Sequence, residues 1–209
     1  MNSIESYELK ESRDGDLVPV INGVHLHSIY NPTKEALSFI ENNQQNINAN
    51  TNFLIFGLGF GYHVDALVEH LESLNYTSYS IIVIEPNTKL VNDFNNLRGF
   101  KNHRVSITSP MNSSEVFENY DFVQFLKSKP APLKHELSFD LEKDFYKDFL
   151  SYKAPVLFKD YKHLLTPTIR DAYFTEQAQS FESRLNTIKT NTGAQTKLDF
   201  ALLAIDSLR

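Results

Sequence analysis

The segment FLIFGLGFGYHVDAL, residues 53–67, limits the possible folds of this chain more than any other part of the sequence. A strand-forming apolar run ends at Gly57, and Gly59 and Gly61 then alternate with bulky residues before a helical pattern begins. A buried strand that enters an amphipathic helix through a glycine-rich turn is typical of α/β folds with a parallel sheet. Glycine in such a turn lets the backbone approach a ligand, or another part of the protein, closely.

Three further strand patterns follow the glycine turn, and helical patterns separate them. SIIVIE (80–85), RVSIT (104–108) and APLKHEL (131–137) are rich in residues that favour strands. Residues 86–97 and 113–127 have the spacing of amphipathic helices. Alternating strands and helices predict a Rossmann-like α/β fold with a mostly parallel sheet and helices on both faces.

The segment before the glycine turn predicts an N-terminal β-hairpin region followed by a helix. The dipeptide Asn22-Gly23 lies between LVPVI and VHLHS, which is a strong signal for a two-residue hairpin. In NPTKEALSFIENN, Asn31 can cap a helix whose first residue is Pro32. The polar run 42–52 is interpreted as a loop or a frayed helix end.

These patterns divide the chain into three parts. We expect hairpins and a helix in residues 1–50, the Rossmann-like core in 51–137, and a C-terminal helical extension in 138–209. Near the end of the chain, apolar residues recur at helical spacing: Leu198, Leu202, Ile205 and Leu208. Because this pattern is still running at the last residue, we interpret the extension as leading into a further domain.

Composition excludes several classes of function. The chain has 209 residues, of which 41% are hydrophobic, so it can bury a substantial core. With 20 basic and 26 acidic residues and no basic block, nucleic acid is not expected as a partner. The absence of cysteine excludes disulfides and thiolate chemistry. No secretory signal or apolar run of ~20 residues is present, which predicts a cytoplasmic protein without a membrane span.

The glycine turn is compatible with a nucleotide but departs from two familiar patterns. The free N–H groups at a helix start favour a phosphate, and Glu85 follows the next strand, where an acid commonly holds ribose hydroxyls. However, Tyr62 stands where the dinucleotide fingerprint requires glycine, and Ile55 stands where methyltransferases carry an acid. Both a nucleotide site and a purely packed turn remain open.

Histidines are the main candidates for side-chain chemistry. His25 and His27 alternate along one predicted strand and would share a face, but no third ligand is evident, so no metal site is predicted. His63 lies at a helix N-terminus, where it can touch a ligand or face solvent. His135 ends the fourth predicted strand, at the edge where α/β proteins bind ligands. Glu35 is interpreted as a partner of a helix dipole.

Three segments together resemble a known family. HSIYNPTKEA (27–36), GLGFGYH (57–63) and the pair Glu85-Pro86 match, in order and spacing, motifs of the Maf proteins, the motility-associated factors. The resemblance extends over about residues 20–90. Maf proteins are bacterial glycosyltransferases that modify flagellin. By this resemblance, the chain is similar to the N-terminal α/β domain of such an enzyme.

The resemblance implies a specific activity for the parent protein. Maf proteins transfer nonulosonic acids of the pseudaminic or legionaminic type from a CMP-activated donor to Ser or Thr of flagellin. A central domain with a Gly-Pro-Ser segment carries catalysis, and this sequence contains no such segment. The implied partners are therefore flagellin and a C-terminal catalytic domain of the same chain, and no catalytic residue can be assigned here.

The matching residues are expected to cluster above the sheet edge: His27, Ser28, Tyr30, Glu35, Gly57, Gly59, Gly61, Tyr62, His63 and Glu85. Such a cluster can be a ligand cleft, or a hydrogen-bond network that fixes the N-terminal hairpin to the sheet. Two other functions stay open. One is an enzyme that resembles methyltransferases using S-adenosylmethionine (SAM), or another nucleotide-binding enzyme. The other is a non-enzymatic module that binds flagellin through the aromatic-rich residues 139–181.

Overall fold

A computed structural model describes residues 4–153, 181–192 and 197–207. The chain forms two compact units, Met1–Lys153 and Ala154–Arg209. All strands found among the described residues lie in the first unit, and they form two separate sheets. The second unit is helical in its described part.

The first sheet is a small antiparallel one at the N-terminus. Its strands are β1 (Tyr7–Glu11), β2 (Leu17–Ile21) and β3 (Val24–His25), in that order. Asn22 and Gly23 join β2 to β3 with φ values of 49° and 78°. Two successive positive φ values are the signature of a type I′ turn, so the predicted hairpin is confirmed at the predicted dipeptide.

Helix α1 spans Pro32–Asn48 and is longer than the sequence predicted. The Asn31 side chain caps it, as expected, by accepting a hydrogen bond from the third amide of the helix. The interpretation of residues 42–52 as a loop or frayed end is wrong for 42–48, which are helical. Ile40 and Ile47 lie two turns apart on the same face and both belong to the main buried cluster, so burial of Ile47 extends the helix through a polar run.

The second sheet has four parallel strands: β4 (Asn52–Phe56), β5 (Ser80–Ile84), β6 (Val105–Thr108) and β7 (Ala131–Lys134). Their order is β6-β5-β4-β7. The predicted α/β fold with a mostly parallel sheet and an N-terminal hairpin region is therefore confirmed. Strands β5 and β6 add to one side of β4, whereas β7 adds to the other side, so the sheet has a topological switch point between β4 and β7.

Helices connect and cover these strands. The predicted helix over 113–127 is two helices, because Asn119 has an extended backbone and its side chain accepts a hydrogen bond that starts the second one. Within the described residues, no helix has both the length and the apolar character needed to cross a bilayer. The helices after α1 are α2 (Tyr62–Ser73), α3 (Thr88–Leu97), α4 (Ser113–Glu118), α5 (Tyr120–Lys127), α6 (Glu136–Leu141) and α7 (Lys143–Leu150).

Strand β4 is covered on both faces. Phe53 and Ile55 belong to one buried cluster, which includes Leu67 of α2. Leu54 and Phe56 belong to a second cluster, built largely from aromatic residues of α4, α5 and α7. Because side chains alternate along a strand, the two clusters lie on opposite faces of the sheet. This explains the continuous apolar run that the sequence shows at residues 53–56.

The second unit contains helix α8 (Phe181–Thr187), a π-helical segment (Ile188–Thr192) and helix α9 (Lys197–Asp206). Leu185, Ile188 and Leu202 form its small apolar cluster, with Ile205 packed against it. Leu198 and Leu208 of the predicted apolar stripe lie outside the described side chains, and residues 154–180 of the aromatic-rich segment are not described either.

The turn from β4 into α2 depends on glycine for space as well as for conformation. Gly61 is the N-cap of α2 with φ of 84°, and a Cβ there would lie 2.6 Å from Cε2 of the fully buried Phe94. Gly23 has a similar φ of 78°, but a Cβ would meet nothing within 4 Å. Substitution at Gly23 would therefore report the cost of backbone strain alone, whereas substitution at Gly61 would add the cost of overpacking.

We predict that Gly61→Ala destabilises the domain far more than Gly23→Ala. The first change combines left-handed strain with a clash in the core, which costs about 3 kcal/mol or more. The second carries strain alone, about 1 kcal/mol. Urea unfolding followed by far-UV circular dichroism measures both free energies. Equal losses would contradict the packing role of Gly61.

Candidate functional site

The candidate site is the carboxyl end of β4 and β7, at the topological switch point. Gly57 follows β4 directly, and His135 follows β7. Open α/β sheets bind their ligands in the crevice at this position. In this protein, His27 from the N-terminal segment and Ser138 from α6 enter that crevice and accept hydrogen bonds from the turn.

The backbone amides of the glycine turn all have acceptors inside the protein. The three central amides, in residues 58–60, donate to three side chains: Glu85 Oε2 at 2.9 Å, Ser138 Oγ at 3.1 Å and His27 Nε2 at 2.9 Å. The two flanking amides, of Gly57 and Gly61, donate to backbone carbonyls. The N–H groups of residues 57–61, which could otherwise contribute to a phosphate site, are therefore already used.

His27 links the N-terminal segment to the turn and is itself held by Glu35. Because its Nε2 accepts from the Phe60 amide, its Nδ1 carries the hydrogen and donates to Glu35 Oε2 at 3.2 Å. The Ser28 amide donates to the same carboxylate oxygen at 2.8 Å. Burial raises the pKa of Glu35, but these two hydrogen bonds and the electrostatic attraction of His27 together outweigh burial and leave the pKa lowered. Glu35 thus acts as an acceptor for His27.

Two further histidines pack against His27. The rings of His63 and His135 stack with centroids 4.5 Å apart, and His27 lies 4.7 Å from His135 and 5.8 Å from His63. His63 Nε2 donates to the Gly57 carbonyl at 3.1 Å, while its Nδ1 is buried without a hydrogen-bond partner. His135 Nδ1 pairs with Ser138 Oγ at 2.8 Å. Each imidazole thus has one nitrogen fixed by a neighbour.

Burial keeps all three imidazoles neutral near neutral pH. The pKa of His63 is lowered to about 3, chiefly by burial and then by His27. The pKa of His135 is lowered well below its usual value by burial, then by His63 and His27. Burial also lowers the pKa of His27, although Glu35 opposes it. A neutral imidazole offers a lone pair on one nitrogen, as an acceptor or as a metal ligand.

Glu85 lies beneath the turn and serves the backbone. It follows β5, is only 2% exposed, and accepts hydrogen bonds from the amides of Leu58 and Asn87. Burial raises its pKa to about 7, although the two hydrogen bonds oppose this and nearby Glu142 adds to it. Each carboxylate oxygen already accepts a hydrogen bond from a backbone amide. The ribose contact predicted for Glu85 would therefore compete with these two hydrogen bonds.

The structure brings most of the predicted cluster together, with two exceptions, Tyr30 and Gly61. Tyr30 is 55% exposed and lies under the guanidinium of Arg13, outside the cluster. Gly61 abuts Phe94 instead of the histidines. The expectation that His25 and His27 share a strand face is wrong, because β3 ends at His25 and the chain then turns into the core. Tyr62 reaches the cluster edge-on, with its ring centroid 5.0 Å from that of His27.

Ser138 is the member of the site that the sequence did not reveal. Its hydroxyl accepts from the Gly59 amide and can donate to His135 Nδ1. A Cβ on Gly57 would overlap the Ser138 side chain, and a Cβ on Gly59 would overlap the His27 ring. Gly57 and Gly59 therefore leave the space that the Ser138 and His27 side chains occupy. The one signal for this in the sequence is the position of His135 and Ser138 at the cap and third residue of a helix, a weak pattern.

Two cavities flank the site. A pocket of about 230 Å³ opens beside the histidines, and its lining includes His27, Glu35, His63, Lys134 and His135. A larger cavity of about 680 Å³ lies along α2 and the loop at 98–102. There Arg98 lies over the Tyr62 ring, 3.8 Å from its centroid, and pairs with Asp65 at 2.7 Å. The smaller pocket is the one that reaches the histidines.

Comparison with known proteins gives only distant similarities. Neither a protein-family model nor a curated protein matches the sequence. Solved structures with partial similarity include spermidine synthase from Thermotoga maritima, with 13% identity and a TM-score of 0.43 over 59% of this chain and 50% of that one. MnmC2 from Aquifex aeolicus has 13% identity and a TM-score of 0.34 over 60% of this chain and 57% of that one.

A MAf glycosyltransferase from Magnetospirillum magneticum AMB-1 is also similar, with 13% identity and a TM-score of 0.38. The alignment covers 77% of this chain and 34% of that chain. The chain thus spans between 34% and 57% of the length of these proteins. Similarity at this level establishes neither a family nor an activity for the chain.

We predict that ionisation of Glu85 makes part of the free energy of unfolding depend on pH, and that Glu85→Gln removes this dependence. Unfolded Glu85 ionises near pH 4.5, whereas the folded carboxyl holds its proton to about pH 7. Unfolding therefore releases a proton between these values, so this component of the free energy of unfolding decreases as pH rises, by about 3 kcal/mol in total.

Urea unfolding of wild type and of the Glu85→Gln variant from pH 4 to 8 measures this component as their difference. As pH rises, wild type should lose about that amount of unfolding free energy relative to the variant, and the difference should then stay constant above pH 7. A constant difference over the whole range would show that Glu85 is ionised in the folded protein throughout.

Proposed function

We propose that this chain is the N-terminal α/β domain of a Maf-type glycosyltransferase and serves there as a scaffold that binds no nucleotide itself. The motif residues support the first part of the proposal. His27 and Glu35 from one motif bond to each other, and His27 bonds to Phe60 in the glycine motif. Glu85, from the third motif, holds the amide of Leu58 in the same turn. The three motifs thus form one hydrogen-bonded unit.

One observation supports the scaffold role above all: the protein's own side chains fill the crevice at the switch point. A phosphate or carboxylate at a strand-to-helix turn needs free backbone amides. Here the amides of residues 58–60 already donate to acceptors from three separate segments. A ligand would have to displace His27, Ser138 or Glu85 and leave buried polar groups unpaired, which costs about 1–3 kcal/mol for each group.

The parent protein, under this proposal, transfers a nonulosonic acid from a CMP-activated donor to Ser or Thr of flagellin. Transfer takes place on a catalytic domain with a Gly-Pro-Ser segment, which this sequence does not supply. The present domain supports that catalytic domain through a rigid fold. The resemblance of residues 27–36, 57–63 and 85–86 to Maf motifs is the basis for this assignment.

We predict that the chain binds neither CMP, SAM nor NAD at millimolar concentration. Titration calorimetry should give no heat beyond dilution. Amide spectra by NMR should show no shifts at residues 57–61, and hydrogen exchange at 58–60 should be slow because these amides are buried and bonded. Saturable shifts at the turn with SAM would favour the methyltransferase-like alternative.

A second experiment uses the full-length protein with flagellin and a CMP-activated nonulosonic acid. If His27 is structural, His27→Ala should lower the yield of folded enzyme but leave kcat/KM per folded molecule within about twofold. Tyr30→Phe is the control, because this motif residue lies at the surface. Loss of kcat/KM in well-folded His27→Ala would indicate a ligand site, and unmodified flagellin with wild-type enzyme would contradict the proposed activity.

A further inference from the structure

The three buried histidines form a set with the spacing of potential metal ligands. His27 comes from the loop after β3, His63 from the first turn of α2, and His135 from the end of β7. One nitrogen from each ring lies within 4.8 Å of the others. Each side chain is at least nine-tenths buried. Three imidazoles are a common ligand set for transition-metal ions in proteins.

Each ring also has a second, outer partner of the kind that orients a metal ligand. Histidines that bind metals almost always use their other nitrogen to contact a carboxylate, a backbone carbonyl or another polar group. The three outer partners here are the Glu35 carboxylate for His27, the Gly57 carbonyl for His63 and the Ser138 hydroxyl for His135. The other nitrogen of each ring would face a shared ligand. In His135 that nitrogen carries the ring hydrogen, because Nδ1 accepts from Ser138, so binding would move this hydrogen to Nδ1 with Ser138 Oγ as its acceptor.

One of those remaining nitrogens has no other explanation in the structure. His63 Nδ1 is buried and has no hydrogen-bond partner, although its Nε2 donates to the Gly57 carbonyl. A buried polar atom without a partner is rare and calls for a missing water, ion or ligand. His27 Nε2 differs, because it accepts from the Phe60 amide, so metal binding would exchange that hydrogen bond for a bond to the ion.

We propose that His27, His63 and His135 bind a divalent transition-metal ion of the Zn²⁺ class. Bond lengths of about 2.0–2.1 Å to imidazole nitrogen would require the three nitrogens to approach one another more closely than 4.8 Å, through rotation of the rings. Imidazole suits Zn²⁺, Ni²⁺, Cu²⁺ and Co²⁺ and disfavours Mg²⁺ or Ca²⁺.

The pocket of about 230 Å³ beside the three rings provides an entry path for the ion. Glu35, Glu136 and Lys134 also line this pocket. Lys134 pairs with Glu136 at 2.6 Å, so Glu35 supplies the net negative charge that favours a cation. A fourth ligand, such as water, would face the pocket. The proposal is independent of the glycosyltransferase assignment, since it follows from the side chains of this domain alone.

The test is titration of tag-free, chelator-treated protein with Zn²⁺ by calorimetry, and with Co²⁺ by visible absorption spectroscopy. Wild type should bind one equivalent, and Co²⁺ should give the intense bands of a four-coordinate site. Zn²⁺ should also raise the thermal midpoint, since a ligand that binds the folded state stabilises it. His63→Gln should weaken binding at least about 100-fold, because it removes a direct ligand.

Two variants make the result decisive. Glu35→Gln leaves the three rings in place and should weaken binding about 10–100-fold, which keeps the test valid if His63→Gln fails to fold. His103→Gln removes an exposed histidine and should leave affinity unchanged. Absence of one-equivalent binding in wild type would overturn the proposal, as would equal weakening by His103→Gln and by Glu35→Gln. Circular dichroism reports whether each variant is folded.

Discussion

The hydrogen bond from the Phe60 amide to His27 Nε2 is the contact on which the site depends. It places a side chain of the N-terminal segment at the position where a Rossmann-like sheet would otherwise present free amides to a ligand. Because the amide can only donate, the bond fixes the tautomer of His27, and this tautomer in turn requires an acceptor at Nδ1, which Glu35 supplies. One backbone donor thus sets the roles of an imidazole and a carboxylate that are distant from it in sequence.

The same arrangement explains why the domain tolerates so many buried polar groups. Glu85, His27 and Ser138 each satisfy an amide of one turn, and each is positioned by a different element of the fold. The glycines leave room for these side chains, since a Cβ at Gly57 or Gly59 would overlap Ser138 or His27. A glycine-rich turn is usually associated with close approach of a ligand, but here it permits close approach of the protein to itself.

Local patterns predicted the fold well, and the site in part. Alternating strands and helices, and the Asn22-Gly23 turn, depend on neighbouring residues, so the sequence reports them directly. The pairing of His27 with His135 depends on the strand order, which places β7 beside β4, and no local pattern encodes that order. The helical state of residues 42–48 was missed for a related reason: the burial of Ile47 outweighs the polar residues around it.

The distances along the chain between the partners of the glycine turn affect how this domain folds. The acceptors for its amides lie 33 residues before the turn and 27 and 79 residues after it. During synthesis, the turn emerges long before Ser138, so its Gly59 amide has only water as a partner until β7 and α6 have formed. Contacts between distant residues are made slowly, because loop closure must precede them. The nascent chain therefore cannot complete this turn before α6 has formed, and a chain truncated before α6 would leave the Gly59 amide hydrated.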